Sequence, residues 1–111
     1  MAPPYVLVLD QGGHGSRALV FDAVGCVVAS ASVTVSTHFP AVGCVEQSPT
    51  EILQSLRDVI ATVAAQLGDR CKAIEAAALI VQRSSLVALD ELSGVALSPI
   101  LSWQDTGMRI G

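Results

Sequence analysis

The chain has 111 residues, 51% of them hydrophobic and 14% charged, and a formal net charge of −4. That length is one domain with room for a real core. Six Lys and Arg residues scattered among ten acids exclude the basic face that a nucleic-acid binder needs. So large an apolar share predicts either a sheet covered on both faces or a surface that leans on a partner segment.

Residues 5–9 are almost continuously apolar (Tyr-Val-Leu-Val-Leu), the pattern of a central strand buried on both faces. Asp10-Gln11-Gly12-Gly13-His14-Gly15-Ser16-Arg17 follows, and residues 17–22 read as a second strand. An acid at a strand end, three glycines in four residues and a returning strand with Arg at its start allow two readings. Pattern alone favours a plain hairpin turn, in which Asp starts the turn. The other reading is a phosphate cradle: glycines let backbone N–H groups approach a ligand, such amides form an anion-binding concavity, and a neighbouring carboxylate can hold Mg²⁺ directly or through water. No Gly-Lys-Ser/Thr follows, so this is not a Walker A loop, and strand signal rather than helix signal comes next, so it is not a dinucleotide fingerprint.

Ala23-Val24-Gly25 reads as a turn and 26–36 as a third strand, with Val33 and Val35 on one face and Thr34 and Ser36 on the other. Short turns between the three make an antiparallel meander. Residues 37–47 form a loop containing Pro40 and Gly43, with His38 on its surface. Ser48-Pro49-Thr50-Glu51 starts a helix: Ser48 caps, Pro49 suits the first position, and Glu51 completes a capping box. Ile52, Leu53, Leu56, Val59, Ile60, Val63, Ala64 and Leu67 recur at helical spacing as one core-facing stripe, and Gly68 stops the helix. Residues 76–81 are again wholly apolar and read as a central strand. A helix leading into such a strand predicts a crossover and parallel pairing with the first strand. Residues 85–90 and 95–103 bracket a turn at Ser93-Gly94 and read as an extra hairpin.

Cys26, Cys44 and Cys71 form no Cys-x-x-Cys pair and have no zinc spacing, which fits reduced thiols inside a cell. The N-terminus Met-Ala-Pro-Pro has no basic region before an apolar stretch, and no run reaches transmembrane length. The expected location is the cytoplasm, with no membrane and no nucleic-acid partner.

Several short motifs stand in register: Leu9-Asp10-Gln11-Gly12, Ser16-Arg17-Ala18, Val20-Phe21-Asp22, His38-Phe39-Pro40, Gly43, Val45-Glu46, Pro49, Glu51-Ile52, Gln54-Ser55, Gln82-Arg83 and Ser102-Trp103-Gln104-Asp105. In order and spacing they resemble the FGGY carbohydrate kinases, and most of all the glycerol kinases, from Tyr5 to about Thr106. The resemblance implies an α/β fold of the ribonuclease-H-like (actin-like ATPase) class. Its mixed sheet has an antiparallel meander, a crossover helix, a parallel strand and an extra hairpin. It makes residues 1–111 the N-terminal part of the first actin-like domain and moves the opening turn from hairpin to phosphate loop.

The resemblance further implies ATP and Mg²⁺ as cofactors and a small polyol or sugar as substrate. Gly12, Gly13, His14 and Gly15 would face the β- and γ-phosphates, with Arg17 beside them as a cation. Asp10 would organise Mg²⁺ through water. Arg83 would hydrogen-bond substrate hydroxyls, Trp103 would pack on the carbon skeleton, and Ser84 beside Arg83 would belong to the same substrate-binding set.

The chain departs from glycerol kinases at Gly13 and His14, where they carry two threonines, and at Ser84, where they carry a Glu that binds glycerol. It also departs at Thr106 and Gly107, where they carry arginines, and at Cys44, where an aromatic is common. The resemblance implies a longer, two-domain protein in which the catalytic base, the adenosine site, the second phosphate loop and the second lobe lie outside this chain; Asp90 and Asp105 qualify as bases by residue type alone. The remaining kinase lobe or an oligomer partner is therefore implied. Two further readings stand beside the kinase: a degenerate, non-catalytic binding or regulatory module, and an actin-fold ATPase switch.

Overall fold

The computed structural model describes residues 2–81, 87, 89–96 and 98–101. In chain order the elements are β1 (Tyr5–Gln11), β2 (Gly15–Phe21), β3 (Val27–Thr34), β4 (Glu46–Gln47), α1 (Pro49–Leu67), a 3-10 turn (Gly68–Ala73), β5 (Ile74–Val81) and β6 (Ile100–Leu101). One sheet has the order β3-β2-β1-β5, and β4 pairs with β6 in a second, small sheet. The β1–β2 and β2–β3 pairs are antiparallel, as short turns demand, and β1–β5 is parallel, as the intervening helix demands. The expected meander, crossover and parallel strand are all present.

Local chemistry sets the connections. At the β2–β3 turn, the Asp22 carboxylate accepts from the Val24 and Cys26 amides at 3.0 and 2.9 Å, and Gly25 takes φ 88°. Such a φ suits glycine because it has no Cβ to clash. At the start of α1 the Ser48 hydroxyl accepts from the Glu51 amide at 3.2 Å, with Pro49 in the first turn. The other half of the expected capping box is not made: the Glu51 carboxylate accepts from the Ser36 amide at 2.6 Å, tying the end of β3 to the helix. Gly68 closes α1 with φ 57° and donates to the Ala64 carbonyl.

Helix α1 lies over β2 and β3. Its seam is Ile52, Ser55, Val59, Val63 and Leu67, at spacings of three and four. Val59, Val63 and Leu67 form the core cluster with Tyr5, Ala18, Val20 and Ala29, and Leu7, Leu9, Ala31 and Val33 pack against it. The stripe is narrower than expected. Leu53 and Ile60 are 49% and 39% exposed, while Ser55 is buried, so part of the stripe faces away from the sheet. Ser55 is tolerated at the seam because its hydroxyl donates to the Ile52 carbonyl. On the outer strand β3, the Gln66 side chain bonds both the N–H and the C=O of Ser30, at 3.1 and 2.9 Å, and so covers part of an otherwise open edge.

The expectation of strands buried on both faces is corrected. β1 is interior to the sheet, yet Val6 is 37% exposed, and β5 is an edge strand whose Leu79, Ile80 and Val81 are 58%, 55% and 59% exposed. The described residues supply one helical layer, on one face and toward β2 and β3, so the other face and the β5 edge have no cover among them. The expected turn at Ser93-Gly94 is present: Gly94 has φ 72°, its N–H donates to Asp90, and Leu89 bridges Ala96 antiparallel. The loop 37–47 ends in β4, which pairs on one side with β6 and on the other with His38.

Candidate functional site

The β1–β2 connection borders a depression of about 390 Å³, lined by Asp10, residues 12–15, Arg17 and, from β3, Ser32 and Thr34. The register puts Asp10 opposite Arg17 and Arg17 opposite Ser32, so the three stand in a row on the face away from α1. The Arg17 Nη2 donates to Asp10 Oδ2 at 3.1 Å, and both side chains remain partly solvated. The next residues in the alternation point the other way. Ser16 is buried, and its hydroxyl lies 2.7 Å from that of Ser55 on α1. The side of the strand ends that borders the depression and the side that meets the helix are thus fixed by one alternation.

The loop is tightly tied through its carbonyls. Gly12 O accepts from the Gln11 side chain at 2.8 Å, Gly13 O from Gln47 at 2.8 Å, His14 O from the Val35 amide at 3.0 Å, and Gly15 O from the Gly12 amide at 2.9 Å. The Gly12 N–H is therefore committed within the loop. The Gly13 and His14 N–H groups carry no hydrogen bond among the described residues. Gly15 is a close-approach glycine: a Cβ there would lie 2.6 Å from the Val33 carbonyl oxygen. At Gly12 the nearest atom to such a Cβ is 3.7 Å away, an ordinary contact.

Of the residues singled out in the sequence, Asp10, Gly12, Gly13, His14, Gly15 and Arg17 come together at this depression. Arg83, Ser84 and Trp103 lie outside the described residues, as do Asp105, Thr106 and Gly107. Asp10 is a lone carboxylate: no cluster of His, Cys, Asp or Glu with metal-holding geometry exists among the described residues. One carboxylate suits a magnesium ion that keeps most of its waters and takes the rest of its ligands from phosphate. Motif order and periodicity assign no role to Gln47, Gln11, Ser16 or Ser55. Gln11, Ser16 and Ser55 lie inside the motifs in register, whereas the Gln47–Gly13 bond joins residues 34 apart and leaves no local pattern.

A model of the N-terminal domain of the FGGY family of carbohydrate kinases matches residues 5–109. The chain belongs to this family. Glycerol kinases of Aromatoleum aromaticum and Acinetobacter baylyi are 39% and 40% identical to it, each over 101 residues, or 91% of this chain and 20% of theirs. Among solved structures, a xyloylose kinase from Brucella ovis superposes with a TM-score of 0.87 at 28% identity, covering 92% of this chain and 21% of that one. Plasmodium falciparum glycerol kinase with ADP superposes with a TM-score of 0.79 at 18% identity, a likeness of fold. This FGGY chain has the actin-like ATPase fold of these kinases, and it spans about a fifth of the length of the relatives it matches.

Proposed function

We propose that the chain is the N-terminal part of the first actin-like domain of an ATP-dependent carbohydrate kinase, which transfers the γ-phosphoryl group of ATP to a hydroxyl of a small polyol or sugar. The observation that carries this reading is the loop at residues 12–15, whose carbonyls are all tied inside the protein while the Gly13 and His14 amides are uncommitted beside the depression. Backbone donors held in this way bind an anion without reorganising, which is what stabilises charge on a phosphoryl group in transfer.

In this reading the Gly13 and His14 amides hold phosphate oxygens, with Gly12 and Gly15 shaping the loop around them. Arg17 neutralises phosphate charge. Asp10 would hold Mg²⁺, and the ion would supply charge neutralisation at the phosphates. Arg83, Ser84 and Trp103 form the sugar end, where Arg83 donates to hydroxyls and Trp103 provides an apolar wall. The base that takes the proton from the acceptor hydroxyl comes from the rest of the kinase. The three free cysteines, Cys26, Cys44 and Cys71, support a cytoplasmic setting, and no described helix is long and apolar enough to cross a membrane.

The test is a coupled ADP-release assay with a panel of polyols and sugars, run on the protein at its native length and on this chain by itself. Acceptor-dependent ADP release by the native-length protein and none by the chain is the expected result. A second reading, a kinase-like module that binds without transfer, is favoured by the Asp10–Arg17 contact, in which the metal carboxylate and the phosphate cation satisfy each other. Acceptor-independent nucleotide binding with no ADP release from the native-length protein selects that reading.

A further inference from the structure

The cradle depends on a residue outside the loop. Gln47 is 1% exposed and belongs to β4, a strand of two residues. Burying an amide side chain is costly unless its polar atoms are paired, and a methionine would fill similar space without that cost. The Gln47 Nε2 donates to the Gly13 carbonyl oxygen at 2.8 Å. Its backbone is equally constrained. Gln47 pairs with Ile100 of β6, while its neighbour Glu46 exchanges bonds with His38 at 2.8 and 2.9 Å and Ser48 caps α1.

A trans peptide is planar, with its C=O and N–H pointing in opposite directions. A carbonyl of Gly13 drawn toward Gln47 therefore turns the His14 N–H the other way. Gln47 does not line the depression, whereas Gly13 and His14 do. Gln11, 7% exposed and also absent from the lining, draws in the Gly12 carbonyl at 2.8 Å and so turns the Gly13 N–H outward.

We propose that Gln47, assisted by Gln11, is a positioning residue for nucleotide binding: buried glutamine amides pull the Gly13 and Gly12 carbonyls inward and thereby present the His14 and Gly13 N–H groups to phosphate. This rests on the reading of the loop as a phosphate cradle. It assigns the loop 37–47 a purpose, which is to carry Gln47 under the cradle. It also divides the loop's glycines, since the Gly12 N–H, spent on Gly15, is not part of the donor set.

The experiment is a titration of the native-length protein with a non-hydrolysable ATP analogue and Mg²⁺, followed by amide NMR, on the wild type and on Gln47→Met. In the wild type, the Gly13 and His14 amide protons should move downfield on binding and that of Gly12 should stay. Gln47→Met should keep the amide pattern of β1 to β3 and bind the analogue about tenfold more weakly, the loss expected for one misdirected charge-assisted hydrogen bond. In the native-length kinase the same change should raise KM for ATP and leave KM for the acceptor unchanged. A wild type that binds no nucleotide overturns the phosphate reading and this inference with it. A wild type that binds, with Gln47→Met binding equally well or with the response on Gly12 instead, overturns the role of Gln47 alone. Should Gln47→Met fail to fold, the wild-type amide pattern and the Gln11→Met variant decide the question in the same way, a silent Gly13 in the wild type counting against the inference.

Discussion

Asp10 and Arg17 face each other across the β1–β2 pair and share an ion pair at 3.1 Å at the rim of the depression. The partners are 34% and 55% exposed at their side chains, so water screens them and the pair adds little to stability. Arg17→Ala or Asp10→Ala should change unfolding free energy by less than about 1 kcal/mol. Denaturant unfolding of each variant checks this. A larger loss would mean that the pair is there for the fold rather than for a ligand. If the loop is the proposed phosphate cradle, Arg17→Ala should in contrast weaken nucleotide binding by roughly tenfold or more, since that reading makes Arg17 a charged donor to phosphate.

Gly12 and Gly15 differ in how closely the backbone packs against them. Gly15→Ala places a methyl 2.6 Å from the Val33 carbonyl oxygen, which is backbone and cannot step aside. It should destabilise the domain by about 1–3 kcal/mol, the usual range for forced overpacking. Gly12→Ala meets nothing nearer than 3.7 Å and should leave stability within about 1 kcal/mol of wild type. Thermal unfolding of the two variants side by side is the measurement, and equal losses would show that the β2–β3 approach at Gly15 is not the constraint.

The Ser16–Ser55 contact ties the strand beneath the loop to the helix. Ser55 spends its proton on the Ile52 carbonyl, so Ser16 must donate across the 2.7 Å gap. Both are buried. Ser55→Ala leaves the Ser16 hydroxyl without its acceptor and should cost about 1–3 kcal/mol. Ser16→Ala/Ser55→Ala should cost less than the two single changes added together, since the second change removes the stranded group. A double-mutant cycle by denaturant unfolding reads this coupling, and strict additivity would contradict it.

Much of the fold follows from periodicity in the chain. The apolar runs at 5–9 and 76–81, the helix start at Ser48 and the stop at Gly68 give β1, β5 and α1, and the crossover between them gives the parallel pair. What periodicity could not show is which faces are covered. An apolar run looks the same in an enclosed strand and in β5, whose cover is not among the described residues. The width of the helical stripe misled for a similar reason: Leu53 and Ile60 are at helical spacing but off the seam that α1 sets against β2 and β3. At the depression, motif order singles out Asp10, residues 12–15 and Arg17, which the fold brings together, while the Gln47 and Ser55 contacts cross 34 and 39 residues of chain and exist only after folding.

Acid should loosen the two ends of β3. The Asp22 carboxyl is held below its ordinary 3.8 chiefly by the Cys26 amide, with the Val24 amide adding to it and partial burial opposing. Glu51 is held below its ordinary 4.5 chiefly by the Ser36 amide. A depressed folded-state value means that the stabilisation is complete above the unfolded value and is lost as pH falls through the folded one. The thermal midpoint should therefore hold steady down to about pH 4.5 and fall below it. Asp22→Asn combined with Glu51→Gln should shallow that fall, and an unchanged acid slope in the double variant would contradict the assignment.

The most direct test of the account is calorimetric titration of the native-length protein with ATP, with and without Mg²⁺, for the wild type and Asp10→Ala. The account predicts binding that Mg²⁺ strengthens in the wild type and that loses its Mg²⁺ dependence in Asp10→Ala. Binding whose Mg²⁺ dependence survives the loss of Asp10, or no binding by the wild type at all, would contradict it.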